Sequence, residues 1–134
     1  MKNTDGAVTY VESGFAKNEG LGIAQIDFGH GAVELNKESV NKALASIEFS
    51  GEGNDLVVDA EKLFQTSVEG AYPLVLTTYE IVCSAGYDAE TSARVKDFLN
   101  VALNSQDDNL EQIGYIPVDG EFKAALKTAV DAIQ

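Results

Sequence analysis

The sequence predicts an α/β domain, and three observations carry that expectation. Residues 72–83, from Tyr72 and Pro73 through Leu74, Val75, Leu76, Thr77, Thr78, Tyr79, Glu80, Ile81 and Val82 to Cys83, have the strongest β character in the chain. Residues 89–104 and 119–133 instead place their apolar side chains at helical spacing. The residues up to about 71 are rich in glycine and break into short extended runs and turns, so the character of the chain changes at the β-rich stretch. That stretch is therefore expected to connect two different structural units.

Taken in order, Asp5-Gly6 reads as a turn and residues 7–11 (Ala7, Val8, Thr9, Tyr10, Val11) as a short strand. Residues 12–18 make about two helical turns, stopped by Gly20, which tolerates the left-handed backbone of a helix end. Residues 21–28 form the next strand, with Ile26 and Phe28 on one face and Gln25 and Asp27 on the other. Gly29-His30-Gly31 is a turn, where His30 faces solvent. Asn36 is suited to cap a helix over residues 37–44, whose Val40, Ala43 and Leu44, with Ile47 beyond, make a core stripe. Residues 50–55 are a polar loop without the carboxylate spacing of a calcium loop. Residues 56–64 fit a short helix or an irregular strand equally well.

In the β-rich stretch, Pro73 lacks an N–H and suits a strand's entry. The run Leu74-Val75-Leu76 implies burial on both faces. Asp88 caps the helix over residues 89–104, with Val95, Phe98, Leu99, Ala102 and Leu103 as its buried stripe and Glu90 and Arg94 paired four apart on the wet side. Residues 105–109 read as a loop or frayed end, and residues 113–117 as extended. Asp119 caps the last helix, whose stripe is Phe122, Ala125, Leu126, Ala129, Val130 and Ile133.

Composition narrows the function classes. An apolar share of 45% is that of a globular chain, and no apolar run approaches the roughly 18 residues of a membrane span. The net charge of −13 repels nucleic acid and anionic membrane alike, although backbone N–H groups at a helix start such as Asn36 to Ser39 can still hold a small anion locally. The first residues lack the apolar core of a signal peptide, which leaves a cytosolic protein or one whose targeting segment is absent. Cys83 is the only cysteine, so no intramolecular disulfide forms, and late in a strand it is expected to behave as a small core residue.

A catalytic pair of Cys83 with the single histidine, His30, would need the fold to bring distant positions together. Asp107 and Asp108 are an acidic pair whose plainer reading is a solvated turn. No spacing for a transition metal, a phosphate loop, a dinucleotide loop or a nucleophile elbow occurs. The residues therefore point to no enzyme, no metal and no cofactor.

Four stretches, in order, resemble one family. Residues 4–12 followed by 14–21 are the first, and residues 71–74 with Thr77, Thr78 and Tyr79 the second. The third is residues 95–103 and the fourth residues 114–118. Together they resemble the C-terminal half of phosphate-binding proteins of the phosphate ABC importer, the PstS type. Asp5 stands where that family has proline, Thr9 where it has glycine, and Asn100-Val101 where it often has tryptophan.

The resemblance implies a type II periplasmic-binding-protein fold, represented by a C-terminal fragment with a mixed sheet flanked by helices. Residues 1–70 would complete the second lobe, residues 71–83 would be the crossing strand, and residues 84–134 would return to the first lobe with two C-terminal helices. It further implies an extracytoplasmic receptor of inorganic phosphate, periplasmic or at the cell surface, with or without a lipid anchor on the intact protein, delivering to a membrane permease. The hinge would lie at Tyr72 and Pro73. The family's Arg…Ser-Gly-Thr anion contacts have no counterpart here, since the only arginine is Arg94 in mid-helix. No phosphate contact is therefore transferred to any residue. Another oxyanion as ligand, or a self-associating module with uncovered strand edges, remains as the alternative.

Overall fold

The computed structural model describes residues 3–134, and its elements are mostly helical. In order they are α1 (Ser13–Asn18), β1 (Ile26–Asp27), β2 (Ala32–Val33), α2 (Lys37–Ala45), α3 (Ala60–Phe64), α4 (Ala89–Asn104), α5 (Asp108–Gln112) and α6 (Gly120–Asp131). Helix α6 packs against both α4 and α2. The cap residues explain where the helices begin. Asn36 accepts from the Ser39 N–H while the Ser39 hydroxyl accepts from the Asn36 N–H, a reciprocal box at the start of α2. Asp88 accepts from the backbone and then the hydroxyl of Thr91, and these bonds hold its carboxyl below the usual carboxylate range. Asp59 and Asp119 start α3 and α6 in the same manner.

Three apolar clusters form the interior. Val40, Leu44 and Tyr72 are joined by half-buried side chains from β1, β2 and the approach to α6, among them Ile116, Val118 and Phe122. Ala43, Leu63 and Ala71 make the second, which shares Ile47 and Val75 with the first. Leu99, Val130 and Ile133 make the third, between α4 and the end of α6. The stripes expected on α2 and α6 are thus the ones that pack. On α4 only a narrow seam, Val95, Leu99 and Leu103, meets the cluster, while Phe98 and Ala102 on its flank are exposed.

The structure differs from the expected mixed sheet. The one sheet among the described residues is a two-stranded antiparallel ladder, pairing Ile26 with Val33 and Asp27 with Ala32. Its tip is the foreseen glycine turn. The Asp27 carboxylate accepts from the N–H groups of Gly29 and Gly31, whose φ angles of 100° and 95° suit glycine. A separate antiparallel bridge joins Phe49 to Val58, and α3 follows directly, so residues 56–64 are part bridge and part helix.

Residues 7–11 and 72–83 form no ladder. Their β propensity persists, yet a strand needs a partner for its N–H and C=O groups, and no segment among the described residues pairs with them in a ladder. The apolar run is therefore not buried on both faces: Leu76 is 97% and Ile81 93% exposed, as are Val8 (92%) and Tyr10 (99%). Cys83 is exposed for the same reason, not a core residue. Residues 105–109 also differ, because Asp107 accepts from the Asn109 N–H and starts α5.

Candidate functional site

The residues that the sequence singles out converge on the stretch Gly70 to Val75. Gly70 turns the chain with φ of 75°, and Tyr72 then enters the interior, 7% exposed, beside Val40 and Leu44. Its N–H donates to the carbonyl of Ser39 at 2.9 Å, so the backbone of α2 holds Tyr72 in place. Ser39 is itself buried, and its hydroxyl donates to Glu34 at 2.6 Å. Burial raises the pKa of Tyr72, because the phenolate loses its hydration there. Pro73 is fully buried as well. Its carbonyl accepts from the Val75 N–H at 2.8 Å, a three-residue turn about Leu74 that bends the chain where a straight strand was expected.

Beyond this bend the chain is tethered by two tyrosine hydroxyls. Tyr79 accepts from the Val58 N–H at 3.0 Å, and Tyr87 accepts from the Cys83 N–H at 2.9 Å. The Tyr79 bond had no signal in periodicity or spacing, since it depends on where a distant backbone passes, whereas the Tyr87 bond closes a local loop four residues long.

The other candidates are not brought together. Among the described residues no hydrogen bond links Cys83 with His30, and both are exposed. Asp107 is occupied by the backbone and amide of Asn109, while Asp108 faces Lys37 at 3.8 Å. No group of three or more His, Cys, Asp or Glu side chains is placed to hold a metal among the described residues. At the start of α2 the capping box already uses the Ser39 N–H, and Glu38 in the first turn repels an anion. Arg94 pairs with Glu90 on the exposed face of α4. The described residues thus provide a buried Tyr72–Pro73 entry and packed helices rather than a cluster of anion donors. No helix among them is long and apolar enough to cross a membrane.

Comparison with known proteins supplies the context for this arrangement. The phosphate-binding protein PstS2 of Mycobacterium bovis is 42% identical over 135 residues, covering 99% of this chain and 36% of that protein. PstS 3 of Mycobacterium tuberculosis is 42% identical over 134 residues, with 98% and 36% covered. PstS 3 of Mycobacterium leprae is 38% identical over 135 residues, with 99% and 37% covered. The chain therefore spans just over a third of the length of these relatives. No solved structure matches it. The model of the PBP superfamily domain matches residues 1–106. By that match the chain belongs to the PBP superfamily, the periplasmic-binding-protein-like domains to which its four motif stretches pointed.

Proposed function

We propose that this chain is part of an extracytoplasmic receptor for inorganic phosphate that delivers its ligand to the permease of an ABC importer. The observation that carries the reading is the colinear similarity, across nearly the whole chain, to three proteins named as phosphate-binding. In this reading residues 1–70 complete the second lobe, residues 71–83 cross between lobes, and residues 84–134 return to the first lobe. Tyr72 and Pro73 are the hinge. Their burial beside α2 and the bend about Leu74 support that role, because a hinge needs a fixed pivot next to a segment that can reorient. The mixed sheet belongs to the longer receptor, in which residues 76–82 gain a ladder partner. The role is binding rather than catalysis: two lobes close on the anion and replace its hydration with hydrogen bonds. The main anion donors come from outside these residues.

Calorimetric titration with phosphate and sulfate tests the reading in two steps. The chain alone is expected to give no binding heat with either anion. A chimera carrying this chain in place of the matching third of the Mycobacterium tuberculosis relative is expected to bind phosphate selectively. A folded chimera that binds neither anion, or prefers sulfate, sinks the phosphate reading. Tight phosphate binding by the chain alone would show that the donors lie within it.

A further inference from the structure

Two segments a hundred residues apart meet backbone to backbone. A Cβ placed on Gly14 in α1 would lie 2.3 Å from the carbonyl oxygen of Ile113, and one on Gly114 would lie 2.1 Å from the nitrogen of Gly14. The Ser13 hydroxyl donates to the carbonyl of Gly114 at 2.8 Å across the same contact. Gly114 has φ of 96°, so glycine is required there for its backbone as well as for the space. Six residues earlier, Asp108 at the start of α5 faces Lys37 at the start of α2. Helix α5 buries none of its residues. The segment from Asp107 to Tyr115 is thus held at its two ends, with little apolar surface anchoring the middle.

We propose that residues 107–115 are a releasable strap, fastened to α1 by the Ser13–Gly14–Gly114 contact and opening as a unit without unfolding the interior. Local opening is cheapest where few apolar contacts are lost, and the exposed pair Lys37–Asp108 adds little to the fastening. The strap runs directly into Ile116 and Val118, which pack on the cluster around Tyr72. Its release therefore loosens the cover of the crossing stretch, and its closure restores it.

The test is native-state amide hydrogen exchange on the full chain with Gly14→Ala and Ser13→Ala. An alanine inside an ordinary helix is more favourable than glycine, so a free α1 would be protected better by Gly14→Ala. The strap instead predicts faster exchange, by about tenfold or more, at Gly114 and Tyr115 in that variant, with Val40 and Leu99 unchanged. Ser13→Ala, which introduces no clash, is expected to speed the same amides roughly two- to tenfold. Unchanged or slower exchange at Gly114 and Tyr115 in both variants overturns the proposal. So does equal acceleration at Val40 and Leu99, which would mean that the contact holds the whole fold rather than a strap.

Discussion

Tyr72 carries an ionisable hydroxyl into apolar surroundings, and the consequence is a dependence of stability on alkaline pH. Unfolded tyrosine ionises near pH ~10, whereas burial raises the value in the folded protein. Between the two values the folded state holds a proton that the unfolded state has lost. The contribution of Tyr72 is thus fully present below the unfolded value and is lost as pH rises through the folded one. Urea unfolding at about pH 8 and about pH 11 is expected to show a larger loss for the natural chain than for Tyr72→Phe. Equal losses would show that the hydroxyl is hydrated in solution. At this scale Tyr72 and Pro73 stand out in sequence as the aromatic-proline entry to a β-rich run. Ser39 as the backbone partner of Tyr72 does not, because that bond is made only once α2 and the crossing lie side by side.

Among the elements, the starts of α2, α4 and α6 were legible in the residues, while those of α3 and α5 were not. Asn36, Asp88 and Asp119 were read as caps, and each accepts a backbone N–H at the start of its helix. A cap is a local device, decided within four residues, so sequence order is sufficient to find it. Asn36→Ala is expected to cost about 1 kcal/mol, the usual loss when a helix start gives up its side-chain acceptor. A chemical-denaturation midpoint shifted by that amount with an unchanged slope checks it, and no shift would mean that Ser39 and Glu34 hold the turn without Asn36. The strands were less legible. Residues 7–11 and 72–83 have strand-forming composition, but a ladder is a relation between two segments and propensity describes only one of them. Of the strand expected over residues 21–28 only Ile26 and Asp27 pair, because there a partner, β2, lies a few residues away across a turn of Asp27 and two glycines.

For the whole molecule, the net charge of −13 sets the response to salt. Self-repulsion among carboxylates destabilises the folded chain and is screened by added ions. Raising sodium chloride from about 10 mM to about 150 mM, which shortens the Debye length from roughly 30 Å to 8 Å, is expected to raise the thermal midpoint. A midpoint that falls would mean that the exposed ion pairs, such as Lys42–Glu38 and Arg94–Glu90, outweigh the repulsion.

The sequence by itself determined the family motifs of the chain and the starts of α2, α4 and α6. These rest on periodicity, capping and residue order, all of which are local. Only the tertiary structure decided that the apolar face of residues 74–82 lies open, and that α6 lies between α2 and α4. It also decided that Gly14 meets Gly114. Each of those depends on which distant segments share space, and that is set by the packing of the assembled chain rather than by any one stretch of it.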